Sequence, residues 1–121
     1  MSKTALVVDD SRSLRGLVCE TLEEAGYTVL QSCNGQEALE TVTKNSVDFV
    51  ITDVNMPMLD GISLVKQLRT QPELKHVPIL ILTTEDTVEM KNRGRQAGAT
   101  GWMVKPFNPP QLINVVSRIV A

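Results

Sequence analysis

Five side chains could act together, because each closes an apolar run of strand length. Asp9 and Asp10 follow Thr4-Ala5-Leu6-Val7-Val8, and Asp53 ends Phe49-Val50-Ile51-Thr52. Thr83 follows Val77-Pro78-Ile79-Leu80-Ile81-Leu82, and Lys105 follows Gly101-Trp102-Met103-Val104. The C-terminal ends of strands are where open α/β sheets place their ligand sites. Each residue alone has an ordinary use: Asp10 as a helix cap, Asp53 as a turn acid, Thr83 as a strand-end hydroxyl, Lys105 as a surface cation. Three acids, a hydroxyl and a cation converging on one crevice are harder to assign to chance. Carboxylates so placed repel by several kcal/mol at an effective dielectric of about 20. The cluster calls for a compensating cation, and an all-oxygen site with room for water suits Mg2+.

The stretches between these residues read as helices. After the first strand, Ser11 or Asp10 can cap a helix whose Leu14, Leu17, Val18, Leu22 and Ala25 share a face, and Gly26 stops it. Tyr27-Thr28-Val29-Leu30 reads as a second strand, and Asn34-Gly35 as a turn before a helix carrying Ala38, Leu39 and Val42. The third strand follows and ends on Asp53. Beyond Asp60-Gly61, the spacing of Ile62, Val65 and Leu68 predicts a third helix, closed by Gln71-Pro72. The segment 86–98 has helical spacing but little apolar material, chiefly Val88, Met90 and Ala97. With Gly94, Lys91, Arg93 and Arg95 it predicts a wet, weakly held helix. After the fifth strand, Pro109 or Pro110 starts a helix packed through Leu112, Val115, Val116 and Ile119. Strand and helix alternate five times without repeat, low complexity or linker, which implies a parallel sheet with helices on both faces and right-handed crossovers.

The bulk composition agrees with that class. The 121 residues suffice for one domain with a genuine core, and the 42% hydrophobic share holds few aromatics, as an aliphatic α/β core requires. A net charge of −2 recommends neither nucleic acid nor an acidic membrane surface as partner. The start, Met1-Ser2-Lys3-Thr4, runs directly into the first strand without an apolar leader, and no run is long enough to span a bilayer. Cys19 and Cys33 form no CxxC pair, so they read as reduced thiols of a cytoplasmic protein. His76 sits in a polar loop and is assigned no chemistry.

Taken together, Asp9-Asp10, Asp53-Val54-Asn55-Met56-Pro57, Asp60-Gly61, Thr83 and Lys105-Pro106-Phe107 resemble, in order and spacing, the receiver domain of bacterial response regulators. The resemblance covers nearly the whole chain as a single receiver domain, 1–121, without an output domain. Asn55-Met56-Pro57 and Ala97-Gly98-Ala99-Thr100-Gly101-Trp102 make it most similar to the small stand-alone chemotaxis regulators. It implies a flavodoxin-like (βα)5 three-layer sandwich with a central parallel sheet of order 2-1-3-4-5. It further implies Asp53 as phosphoryl acceptor, and Mg2+ held by Asp10, Asp53 and the backbone carbonyl of Asn55, with Asp9 acting through water. Lys105 would pair with the phosphoryl oxygens and Thr83 would hydrogen-bond them, while Trp102 would be the aromatic of the switch. A cis peptide is expected at Lys105-Pro106. Asn55 and Glu85 would tune the lifetime of the phosphorylated state, in which water attacks the aspartyl phosphate. The partners implied are a CheA-like histidine kinase and either a flagellar motor switch protein or a phosphatase, with a monomer signalling by protein contact. A phosphate sink or intermediate receiver has the same residues.

Two positions depart from the family's pattern. Trp102 stands where Tyr or another aromatic is common, and its indole can donate but not accept a hydrogen bond. Thr84 stands where a small residue is frequent, which would narrow phosphoryl access. Two other classes compete. Phosphohydrolases of the haloacid dehalogenase type also use a strand-end Asp and Mg2+, but they place a general acid two residues on, where this chain has Asn55. A phosphorylation-independent adaptor would have no need of crowded carboxylates.

Overall fold

The computed structural model describes residues 3–121; Met1 and Ser2, on which part of the expectation for the chain start falls, lie outside the described residues. The elements are β1 (Thr4–Val8), α1 (Arg12–Glu24), β2 (Thr28–Ser32), α2 (Gly35–Lys44), β3 (Phe49–Thr52), α3 (Gly61–Arg69), a 3-10 turn (Pro72–Leu74), β4 (Ile79–Thr83), α4 (Val88–Ala97), β5 (Gly101–Val104) and α5 (Pro109–Ile119). The sheet runs β2-β1-β3-β4-β5 with every pairing parallel. This is the flavodoxin-like order that the resemblance implied.

Strand residues alternate between two cores, which makes the three layers. Ala5, Val7, Phe49, Ile51, Leu80 and Leu82 face Val18, Cys19 and Leu22 of α1 and Leu112 and Val116 of α5. Leu6, Val8, Val50, Ile79 and Ile81 face Ala38 of α2, Ile62, Leu64, Val65 and Leu68 of α3, and Ala97 of α4. Because both faces are covered, β3 and β4 are buried along their whole length, and they read as unbroken apolar runs rather than alternating ones.

The helix starts follow from local side chains. Ser11 accepts the N–H of Leu14, Asn34 that of Glu37, Asp60 that of Ser63, Thr87 that of Met90 and Asn108 that of Gln111. Each side chain satisfies one of the donors a helix leaves unpaired at its N-terminus, typically worth about 1 kcal/mol. Gly26 ends α1 at φ 98° and Gly98 ends α4 at φ 113°, the left-handed conformation that glycine adopts without strain.

Several expected boundaries move. Asn34-Gly35 is the start of α2 rather than a preceding turn, because the Asn34 side chain caps the helix directly. β2 begins at Thr28 and continues to Ser32. β4 begins at Ile79, after Pro78, whose nitrogen has no hydrogen to give a ladder. α3 ends at Arg69, and Gln71-Pro72 opens the 3-10 turn. α4 starts at Val88, two residues later than the spacing predicts, since Thr87 supplies the cap. Val88 is 72% exposed and does not anchor its helix, and Leu17 of α1 and Ala25 just past its end also face solvent.

Candidate functional site

Strand register brings the acids together. Val8 of β1 pairs with Thr52 of β3, so the next residues, Asp9 and Asp53, emerge side by side from the two central strands. Backbone bonds extend the ladder one step further: Asp53 N–H donates to Val8 O at 3.0 Å and Asp9 N–H to Ser32 O at 3.2 Å. Thr83 pairs with Val104, and Lys105 N–H donates to Thr83 O at 2.8 Å, which delivers Lys105 to the same edge. β1 and β3 flank the point where the strand order reverses, the usual ligand crevice of an open α/β sheet.

Carboxylate oxygens of Asp9, Asp10 and Asp53 all lie within 4.8 Å of one another. Lys105 Nζ sits between two of them, 2.7 Å from Asp9 Oδ2 and 3.0 Å from Asp53 Oδ2. Burial draws this ammonium down, but hydrogen bonds to Asp9 and Asp53 and their charges outweigh it, holding the group above its ordinary value. Lys105 therefore stays cationic at physiological pH. The remaining oxygens are directed too: Asp9 Oδ1 accepts the Ser11 N–H at 2.9 Å and Asp53 Oδ1 the Val54 N–H at 2.6 Å. Asp9 is buried and Asp53 half-buried, whereas Asp10 faces solvent.

One ammonium against three carboxylates leaves an excess of negative charge. At the observed spacing, each carboxylate pair repels by roughly 3 kcal/mol or more at an effective dielectric of about 20. Hard, partly solvated oxygen donors around uncompensated charge are the donor set that Mg2+ prefers, so these residues fit that ion.

The other expected residues stand one layer out. Thr83 is fully buried, and its Oγ1 accepts the Glu85 N–H at 3.4 Å. Asn55 and Glu85 bond to each other rather than to the acids, Nδ2 to Oε1 at 3.0 Å. Trp102 is further away: its Nε1 donates to Glu85 O at 3.0 Å, and its ring edge faces Gly94 so closely that a Cβ there would lie 2.8 Å from Cζ3. Glu85 thus touches both the loop that follows β3, through Asn55, and the aromatic of β5. The Lys105-Pro106 peptide is cis, as expected. Thr84 is exposed.

Two contributors escape a reading of motifs. A Cβ on Gly61 would lie 1.9 Å from Asp53 O, so only glycine lets α3 close over the loop that follows β3; the Asp60-Gly61 pair was legible as a turn but not as this contact. Arg15 donates to the Asp9 carbonyl at 2.7 Å, and the available signal was a cation five residues beyond Asp10. The cysteines are free thiols; burial pushes Cys19 up to about 11, and a hydrogen bond to Glu37 raises Cys33. Among the described residues, no helix is long and apolar enough to cross a membrane.

Comparison with known proteins agrees with this architecture. Residues 5–117 match the response regulator receiver domain. The chain is 39% identical to chemotaxis protein CheY-3 of Vibrio cholerae over 115 residues, 94% of this chain and 88% of that one. It superposes on the Vibrio cholerae chemotaxis protein CheY4 with a TM-score of 0.95 at 46% identity, covering 98% and 99% of the two chains. The receiver domain of the sensor histidine kinase PA1611 from Pseudomonas aeruginosa, described with magnesium coordinated in its active-site cleft, gives a TM-score of 0.91 at 26% identity, covering 99% and 98%.

Proposed function

The chain belongs to the response regulator receiver domain family, and we propose that it serves a chemotaxis-type two-component relay with Asp53 as phosphoryl acceptor. The carrying observation is Lys105 bridging Asp9 and Asp53 beside the exposed carboxylate of Asp10. A carboxylate oxygen of Asp53 attacks the phosphorus of a phosphohistidine on a CheA-like kinase. The phosphorus–nitrogen bond breaks, its electron pair stays on the imidazole, and an aspartyl phosphate forms. Aligning this nucleophile and neutralising charge on the transferring oxygens is most of the protein's task.

Asp10, Asp53 and the Asn55 carbonyl would hold Mg2+, with Asp9 acting through water. When bound, the ion supplies positive charge to the phosphoryl oxygens. Lys105 adds a second, permanent charge. Thr83 hydrogen-bonds the phosphoryl group, and movement of its hydroxyl frees the Glu85 N–H it now accepts. That shift reaches Trp102 through the Glu85 carbonyl and so changes the face formed by α4, β5 and α5. Asn55 and Glu85 set how readily water attacks the phosphorylated acid. Output is by protein contact in the cytoplasm, with a flagellar motor switch protein or a phosphatase as partner and no role for nucleic acid. A sink or intermediate receiver is the second reading, favoured by the likeness to a kinase-borne receiver. Phosphorylated protein that binds no motor component would select it.

The first experiment follows Trp102 fluorescence through titration with Mg2+ and then beryllofluoride, in the wild type and in Asp53→Asn. Both ligands should change the wild-type signal, and beryllofluoride should leave the variant unchanged. A wild type silent to beryllofluoride would remove the switch, and one silent to both would favour an adaptor.

A further inference from the structure

Arg15 lies in the first turn of α1, where a cation meets the positive end of the helix dipole. Helix electrostatics do not explain it; its contacts do. Nη1 donates to the Asp9 carbonyl at 2.7 Å, and Nε donates to Gln31 Oε1 at 3.1 Å. Gln31 belongs to β2 and pairs with Val7 of β1, so the guanidinium is braced by the strand beside the site.

The Asp9 carbonyl is part of the peptide that leads into Asp10. Holding that oxygen from outside fixes the plane from which the Asp10 side chain departs. Asp9 itself is tied at every polar atom: N–H to Ser32 O, carbonyl to Arg15, Oδ1 to Ser11 N–H and Oδ2 to Lys105. Among the described residues nothing binds the Asp10 carboxylate, so its direction comes from the backbone that carries it.

We infer that Arg15 is the positioning residue for the metal-binding acid pair, aiming the Asp10 carboxylate by holding the Asp9–Asp10 peptide. The inference rests on the Mg2+ reading above and adds to it a residue outside the acid cluster. Its sign separates it from simple electrostatics. A cation beside a dication weakens binding, so an Arg15 acting only through charge would bind Mg2+ more tightly once neutralised.

Calorimetric titration of the metal-free protein with MgCl2 tests this, with thermal unfolding in EDTA confirming that each variant is folded. Arg15→Ala should weaken Mg2+ binding about tenfold, the low end for partners outside the ligand shell. Arg15→Lys should recover part of the loss, because an ammonium can reach the carbonyl but lacks the fork that also engages Gln31. Gln31→Ala keeps the charge, removes the brace and should weaken binding in the same direction by less. Unchanged or tighter binding by a folded Arg15→Ala overturns the inference. Should that variant not fold, unchanged binding by Gln31→Ala overturns it. A wild type that takes up no Mg2+ overturns the metal reading and this inference together, whereas equal binding by wild type and Arg15→Ala removes the inference alone.

Discussion

Neighbouring helices on one face of the sheet are held in opposite ways. α3 buries Gly61, Ile62, Leu64, Val65 and Leu68, whereas α4, one residue longer, buries only Gly94 and Ala97. α3 closes over the loop that follows β3: Gly61 N–H donates to Val54 O at 2.9 Å, and a Cβ on Gly61 would lie 1.9 Å from the Asp53 carbonyl oxygen. α4 is tied mainly in its second half. Gly94 meets Trp102, and Arg69 at the end of α3 donates to the Gly98 carbonyl through Nε at 3.0 Å and Nη2 at 2.8 Å. Its first turn carries the exposed Val88 and Lys91, whose ion pair with Asp86 ahead of the helix is exposed and holds little in water. The difference teaches a division of labour: a rigid helix fixes the geometry of the acid cluster, and a weakly held one can change its surface cheaply.

The sharpest way to break that comparison is to add one carbon to each helix. In Gly61→Ala the atoms nearest the new Cβ are all backbone, 1.9 Å to Asp53 O and 2.9 Å to Val54 Cα, where no flexible side-chain end can give way. A loss of about 4 kcal/mol or more is expected from urea unfolding. In Gly94→Ala the Cβ meets the Trp102 ring at 2.8 Å and Ile81 Cδ1 at 3.1 Å. A gain in helix propensity of about 1 kcal/mol opposes that crowding. The net cost should be about 1 kcal/mol or less, with a shift in Trp102 emission. Equal costs for the pair would dissolve the distinction.

Truncation sharpens it with a smaller effect. Leu64 is fully buried, so Leu64→Ala should cost about 3 kcal/mol. Val88→Ala, on the exposed turn of α4, should stay within about 0.5 kcal/mol. A Val88 variant as costly as the Leu64 one would mean that α4 is packed as firmly as α3.

The smallest effect is electrostatic. Lys105 titrates above its ordinary 10.5 in the folded protein, so its contribution to stability is fully present below about that pH and is lost as pH rises through the higher folded value. Thermal midpoints measured from pH 9 upward should therefore fall more steeply for the wild type than for Lys105→Met. Parallel curves would show that the Asp9–Lys105–Asp53 bridge adds nothing beyond what solvent supplies.

Most of the fold was legible in the chain. Apolar runs marked all five strands, a capping side chain and Gly26 marked the two ends of α1, and the reactive residues at strand ends marked the edge where a site could form. These are local signals, carried by side chains within a few residues of the backbone they act on. They located Asp9, Asp10, Asp53, Thr83 and Lys105, and the depletion of apolar residues identified α4 as weakly held. Strand order came from family likeness, because periodicity does not distinguish one winding from another.

Tertiary structure decided what depends on residues far apart in the chain. Register alone set Val8 opposite Thr52 and thereby Asp9 beside Asp53. Packing alone placed the Trp102 ring on Gly94, its N–H on Glu85, and the Asn55 amide on the Glu85 carboxylate. The two guanidiniums were the least legible. Arg15 reaches the carbonyl of Asp9, and Arg69 donates to the carbonyls of Leu74, Val77 and Gly98. Such bonds are made to backbone oxygens, which every residue carries alike, so a cation near Asp10 is the most the sequence offers for Arg15 and only the folded geometry selects which oxygen is met.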